Sequence, residues 1–204
     1  MKKARMILLL SVAFCFLFSA RALAAEYTVK PGDSLWVIAQ KFEIGLQELR
    51  EANKQISNPN LIYPLQKIYI PSVAPLKGVE DEVVRLVNAE RAKHGLPALK
   101  PNWQAARVAR IKSEDMIKNK YFAHQSPVYG SPFNMMENFG LKFSSAAENI
   151  AKGQRTPQEV MNGWMNSAGH RANILSKTVT EIGVGAAKDA NGTLVWTQMF
   201  LKPL

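Results

Sequence analysis

Histidine is the side chain with the widest chemical range in this sequence, and the chain has three. His170 lies in the motif WMNSAGHRANIL, three residues after Ser167, so the two side chains could meet on one face of a helix. His170 could be a metal ligand, a catalytic base or a packed residue. His124 lies 46 residues earlier, and no short His-x-x-x-His ligand motif links the two. His94 is at a predicted helix end, where its charge would complement the helix dipole.

The first 24 residues have the pattern of a secretory signal peptide. A basic start precedes the 14-residue apolar run ILLLSVAFCFLFSA, which is too short to span a bilayer with these flanks, and ALA then offers a cleavage site. We therefore predict a signal peptide over residues 1–24 and a secreted chain. The one cysteine, Cys15, lies inside the apolar run, so the mature chain has no disulfide. No transmembrane segment is expected in the mature chain.

Charge and composition divide the rest of the chain near residue 75. Residues 26–71 contain five basic and five acidic side chains, whereas residues 77–204 contain 17 and 11. Segment 72–78 has a proline, a glycine and no periodic apolar face, which predicts a linker. The positive surplus favours anionic partners such as wall polymers or lipid head groups. No nucleic-acid-binding motif accompanies the charge, so no nucleic-acid partner is expected.

Residues 26–71 predict a small domain in the order strand, helix, helix, strand. EYTVKPG is a short strand, and Asp33 or Ser34 caps the helix in DSLWVIAQKF. Gly45 precedes a second helix, LQELREAN, and QKIYIP is the closing strand. Neither helix could bury its apolar face alone, so the two strands are expected to pair beneath the helices.

This first part resembles the LysM module over nearly its whole length, in YTVKPGDSLWVIAQKF and NPNLIYPLQKIYIP. The resemblance implies binding of N-acetylglucosamine polymers such as peptidoglycan, in a shallow groove between two loops. The implied glycan-binding residues in those loops are Gly32, Asp33, Ser34, Asn58, Pro59, Asn60, Leu61 and Ile62. Leu65 stands where the family usually has glycine, so a reshaped turn is expected at Pro64–Gln66.

Residues 79–204 predict helices around a sheet. VEDEVVRLVNAERAKHG and PNWQAARVARIKSEDMIKNK are helices, and inward alanines in the second indicate close packing. TPQEVMNGWMNSAGH has a complete helix-start signal, and Gly169 is expected to end that helix. EIGVGAAK and TLVWTQMFL predict a hairpin, with a third strand at ENIA and a short helix at FNMMENFG. Trp103, Trp164 and Trp196 are predicted to be core residues.

This second part is similar to the CAP superfamily (cysteine-rich secretory proteins, antigen 5 and pathogenesis-related proteins). The motifs that carry the similarity are NAERAKHGLPAL, YFAHQSP, AENIAKG, WMNSAGHRANIL and IGVG with WTQMF. The resemblance implies a three-layer α/β/α sandwich with an open cleft lined by two histidines and two acids. By position these are His124, His170 and Glu148, with Ser167 in place of the second acid. The expected fold class is α+β, a LysM module followed by this sandwich.

The function expected from both parts is that of a secreted, wall-associated binding protein. The LysM module would tether the chain to peptidoglycan, and the cleft lined by His124, Glu148, Ser167 and His170 would bind a lipid, a small molecule or a protein. One alternative is a hydrolase of wall peptides or proteins, either assisted by zinc at His124 and His170 or using Ser167 with His170 and Glu148. Another alternative is a structural component of a wall or spore envelope. The missing second acid makes an enzyme the less favoured hypothesis.

Overall fold

A computed structural model describes residues 25–72 and 76–204. The predicted signal peptide, with Cys15, lies outside the described residues. Within this part of the chain the strands form one two-stranded and one four-stranded sheet, and helices accompany both, so the fold class is α+β as predicted. No helix in the described ranges is both long and apolar enough to cross a membrane.

The first domain has the predicted order of strand, helix, helix, strand. Its elements are β1 (Ala25–Thr28), α1 (Leu35–Lys41), α2 (Leu46–Ala52) and β2 (Lys67–Ile70). The two strands pair antiparallel, and a cluster of buried apolar side chains fills the space between them and the helices. Of the two predicted caps, Ser34 begins α1, because its hydroxyl oxygen accepts the N–H of Val37 at 3.2 Å.

The second domain is built on a four-stranded sheet with the order β3–β5–β6–β4. Its strands are β3 (Lys100–Pro101), β4 (Phe143–Lys152), β5 (Glu181–Lys188) and β6 (Leu194–Pro203). β5 and β6 form the predicted hairpin, and β4 pairs antiparallel with β6 on the other side. The strand predicted at ENIA is therefore real and longer than that motif. β3 runs parallel to β5.

Helices cover both faces of this sheet, which makes the predicted α/β/α sandwich. They are α3 (Lys77–Lys93), α4 (Trp103–Lys118), α5 (Pro132–Asn138), α6 (Pro157–Asn166) and α7 (Ala168–Ile174). One apolar cluster joins α3, α6 and α7 to the sheet, and a second joins α4 and α5 to the opposite face. Trp164 and Trp196 are core residues as predicted, but Trp103 is only partly buried.

The backbone of α4 lies directly on β5. A Cβ atom added at Gly183 would collide with the backbone at Ala105–Ala106. One added at Gly185 would collide with the backbone at Ala109–Arg110. The Ser113 hydroxyl then donates to the carbonyl of Gly185 at 3.1 Å. The two glycines of IGVG and the alanines of the helix are therefore parts of one close contact.

Helix α6 ends earlier than predicted, at Asn166 and not at Gly169. Ser167 has an extended backbone (φ −100°, ψ 122°), ends α6 and is the N-cap of α7. Gly169 consequently lies within α7, and His170 is a helical residue. The prediction was wrong because a serine in a helix and a serine between two helices leave the apolar periodicity almost unchanged.

The turn at Pro64–Gln66 holds its leucine in a conformation that favours glycine. Leu65 has a left-handed backbone, with φ +71°, and its side chain is 81% exposed. The N–H of Gln66 donates to Tyr63 O at 3.1 Å and the N–H of Leu65 donates to Val29 O at 2.9 Å. These bonds hold a conformation that glycine adopts freely and that costs another residue roughly 1–2 kcal/mol.

Replacing Leu65 with glycine should raise the free energy of unfolding by about 0.5–1 kcal/mol, because the relieved strain exceeds the added chain entropy. Denaturant unfolding measures the change. Leu61→Gly is the matched control, since Leu61 is also exposed but has no positive φ, and it should lower stability. Lower stability in Leu65→Gly would contradict the account of this turn.

Replacing Gly185 with alanine should lower the free energy of unfolding by about 1–3 kcal/mol or more, because helix α4 must move away from β5. Gly169→Ala is the control: nothing lies within 4 Å of its added Cβ, and in a helix alanine is favoured by about 0.5–1 kcal/mol. Equal tolerance of both substitutions in denaturant unfolding would be inconsistent with the close contact.

Candidate functional site

Two of the predicted cleft residues, His124 and Glu148, are joined by a short hydrogen bond. Nδ1 of His124 lies 2.6 Å from Oε1 of Glu148. The Glu148 side chain, on β4, is only 1% exposed, whereas the His124 side chain is 55% exposed, in the loop between α4 and α5. Because Nδ1 is engaged by the carboxylate, Nε2 is the imidazole atom left to meet a ligand.

The loop that carries His124 is anchored to α4 by polar side chains. Lys112 is fully buried and donates to the His124 carbonyl at 2.7 Å and to the Tyr121 hydroxyl at 3.2 Å. Asp115 accepts the Ser126 hydroxyl at 2.7 Å and also accepts the Tyr121 hydroxyl. The sequence pattern does not indicate Lys112 or Asp115, because charged residues of an amphipathic helix are ordinarily exposed.

Burial changes the acid–base properties of the cleft. It raises the pKa of the Glu148 carboxyl, and the hydrogen bond from His124 opposes that rise. Burial lowers the pKa of the Lys112 ammonium, although the nearby carboxyl groups of Glu148 and Asp115 act to raise it. Burial also lowers the pKa of the His170 imidazole, and electrostatic repulsion from the neighbouring His124 lowers it further. Both effects favour the neutral imidazole, which can both donate and accept a hydrogen bond.

Two asparagines fix α7 against β4. Asn149 is fully buried and donates to the backbone carbonyl of His170 at 3.1 Å and to Gln198 Oε1 at 3.0 Å. Asn173 donates to Asn149 Oδ1 at 2.8 Å and to the Glu148 carbonyl at 3.2 Å. These bonds hold the backbone of His170 beside the strand that carries Glu148. Both asparagines lie in motifs that carry the family similarity, AENIAKG and WMNSAGHRANIL, and this position was the signal that could have identified them.

Ser167 does not join this network. Its side chain makes no capping bond, and among residues 25–72 and 76–204 no hydrogen bond links its hydroxyl to His170. Its carbonyl instead accepts the N–H of Arg171 at 2.9 Å. The structure thus brings together His124, Glu148 and the helix of His170, and it leaves Ser167 at the junction of two helices.

In the described part of the chain, no three His, Cys, Asp or Glu side chains converge in a way that could hold a metal ion. Glu148 engages Nδ1 of His124 and leaves Nε2 open, which is the arrangement in which a carboxylate orients a metal-ligating imidazole. Zinc held by His124 and His170 would therefore take its remaining ligands from outside this set, as water or a bound molecule.

The first domain contains a groove of about 240 Å³ beside α1 and α2. Five of the eight residues predicted to bind glycan line it, namely Asp33, Ser34, Pro59, Asn60 and Ile62. The other three, Gly32, Asn58 and Leu61, do not line this groove. Asn58 shapes the loop, because its Oδ1 accepts the N–H of Asn60 at 3.0 Å, and Gly32 provides a turn with φ +87°.

Asp33 acts mainly within its own loop. Its carboxylate accepts the N–H of Lys30 and the hydroxyl of Tyr27, each at 2.8 Å. The bond from Lys30 and then that from Tyr27 lower the pKa of the Asp33 carboxyl. The carboxylate therefore stabilises the loop between β1 and α1, which forms one wall of the groove.

Trp36 also lines this groove and was not singled out by the sequence pattern. Its side chain is 58% exposed, although it is one of the largest apolar groups in the domain. The clue lay in its position, because Trp36 falls outside the helix face formed by Leu35 and Ile38, which are both buried. Trp36 and Leu46 (39% exposed) therefore give this groove an exposed apolar lining.

Comparisons with known proteins agree with both resemblances. A model of the cysteine-rich secretory protein family (CAP) matches residues 84–200, and a LysM domain model matches residues 27–71. The uncharacterized protein YkwD of Bacillus subtilis (strain 168) is 52% identical over 122 residues, which are 60% of this chain and 46% of that protein. The uncharacterized membrane protein YlbC of the same organism is 32% identical over 203 residues, or 93% of this chain and 57% of that protein.

A solved structure shares the fold of the second part. It is an extracellular protein containing a SCP domain from Bacillus anthracis str. Ames, with a TM-score of 0.59 and 33% sequence identity. The match covers 68% of this chain and 47% of that chain. The present chain spans about half the length of the curated relatives that it matches.

The His170 imidazole should titrate below its ordinary pKa of 6.5, and His124→Asn should move that pKa upward, because a neighbouring positive charge is removed. Titration of the histidine ring signals by NMR measures both values. His94→Asn, at the end of α3, is the control and should leave His170 unchanged. A wild-type His170 that titrates at or above 6.5 would contradict its burial beside His124.

Proposed function

The chain belongs to the cysteine-rich secretory protein (CAP) family and has a LysM domain before its CAP domain, and on this premise we propose that it is a secreted, wall-associated protein that binds peptidoglycan. The observation that carries the proposal is the groove in which Trp36 lies among five of the predicted glycan-binding residues. In this proposal residues 1–24 are the signal peptide, 26–71 the LysM domain, 72–78 the linker and 79–204 the CAP domain.

The groove has the chemistry that an N-acetylglucosamine polymer requires. Trp36 and Leu46 offer exposed apolar faces against which the faces of sugar rings can pack. Ser34 and Asn60 supply a hydroxyl and an amide for the hydroxyl and acetamido groups of the sugar. Arg50, which also lines the groove, adds a positive charge suited to the carboxylates of a wall polymer.

The CAP cleft is proposed to bind a second ligand, which is a small molecule, a lipid or a protein segment with a hydrogen-bonding group. The open Nε2 of His124 and the neutral imidazole of His170 are the groups that would meet it. Glu148 would act by holding the His124 ring in one orientation. The proposal is one of binding, because Ser167 has no hydrogen bond to His170 that would activate it as a nucleophile among the described residues.

Charge and tethering support the same function. Residues 77–204 have 17 basic and 11 acidic side chains, so anionic wall polymers attract this part of the protein. A chain held at the wall by its LysM domain meets wall-borne ligands at a raised effective concentration. The CAP cleft can therefore act on a ligand that it binds weakly.

Sedimentation of the full chain with purified peptidoglycan tests the proposal. Trp36→Ala should weaken binding about tenfold, because a stacking surface that lines the groove is lost. Asn60→Ala should also weaken binding to peptidoglycan. Tyr69→Ala is the matched control, since Tyr69 is an exposed aromatic on the face of β2 opposite its buried isoleucines. Equal sedimentation of Trp36→Ala and the wild-type protein would refute the groove as the binding site.

Binding by charge alone is distinguished by salt. Attraction between exposed charges is largely screened at high ionic strength, whereas stacking and hydrogen bonding in the groove persist. The wild-type protein should therefore remain bound in concentrated salt. Complete release by salt would show that the positive charge, and not the groove, accounts for sedimentation.

A further inference from the structure

A second groove, of about 500 Å³, lies where the LysM and CAP domains meet. We call it the junction groove. The LysM domain contributes Trp36, Leu46 and Gln47 to its lining, and the CAP domain contributes Trp103, Gln104 and Arg107. Both domains thus supply an aromatic ring and an amide to one concave surface.

The junction groove borders the LysM groove. Trp36 and Leu46 line both grooves, and these residues are 58% and 39% exposed. A ligand that packs on Trp36 in the LysM groove therefore lies beside the groove that Trp103 lines on the CAP domain.

The two domains are held together at this groove by a bidentate ion pair. Nε and Nη2 of Arg107, on α4, donate to the two carboxylate oxygens of Glu48, on α2, at 2.7 Å each. The guanidinium also lies over the Phe139 ring, 4.9 Å from its centroid. Gly45 leaves room for the pair, since a Cβ atom there would collide with both charged groups. Paired, planar contacts of this kind fix the geometry of the groove between the domains.

From this geometry we infer that the glycan-binding surface of the protein continues from the LysM groove across the junction groove onto the CAP domain. This inference rests on the proposed function of the LysM groove. Its ligand is a linear N-acetylglucosamine polymer that is longer than the LysM groove alone can hold. The ring of Trp103 packs on a sugar distant from Trp36, and Gln104 hydrogen-bonds to the hydroxyl or acetamido groups of that sugar.

Calorimetric titration of the full chain with four-sugar and eight-sugar oligomers of N-acetylglucosamine tests the inference. The wild-type protein should bind the longer oligomer more tightly. Trp103→Ala should weaken binding of the eight-sugar oligomer about tenfold and leave that of the four-sugar oligomer unchanged. Trp36→Ala should weaken both. Phe133→Ala, an exposed aromatic of the CAP domain that does not line the junction groove, is the matched control.

The outcomes separate the two proposals. If Trp103→Ala binds the eight-sugar oligomer like the wild-type protein while Trp36→Ala is impaired, the junction groove is excluded and the LysM groove is retained. If the wild-type protein binds neither oligomer, both proposals are overturned. Gln104→Ala guards against misfolding of the Trp103 variant, because Gln104 is exposed. It should weaken binding of the longer oligomer only.

Discussion

The close contact between helix α4 and strand β5 is the constraint on which the rest of the CAP domain depends. Gly183 and Gly185 let the helix backbone lie on the strand, and this fixes where every side chain of α4 points. Arg107, near one end, meets the LysM domain, whereas Lys112 and Asp115, toward the other end, hold the loop of His124. A single contact therefore positions both the junction of the domains and one wall of the cleft.

The opposite wall of the cleft is held by hydrogen bonds between buried polar groups. Asn149 and Asn173 tie α7 to β4, and Glu148 is held inside the sheet with its carboxylate turned to His124. Within the described residues, Glu148 Oε2, Gln154 Oε1 and Gln198 Nε2 are buried without a hydrogen-bond partner from the protein. A buried polar atom that finds no partner costs stability.

Local patterns were sufficient to predict most of the elements and part of the sites. The cap at Ser34 and the alternation of the β5–β6 hairpin depend on neighbouring residues, and such features can be recognised in one sequence. Ser167 and Leu65 show the limit of local patterns. The helix break at Ser167 and the strained turn at Leu65 are both imposed by the surrounding fold. The asparagines and Lys112 were missed because their burial is decided by strands and loops distant in the sequence.

Exposed Trp36 and partly buried Trp103 illustrate the same limit and provide the most direct measurement. Their environment depends on how two domains meet, which no local pattern contains, yet each indole N–H gives its own NMR signal. On titration with the eight-sugar oligomer, the full chain should show shifts for Trp36 and Trp103 and none for the buried Trp164 and Trp196. An unchanged Trp36 signal at saturating oligomer would contradict the claim that this chain is a glycan-binding protein of the wall.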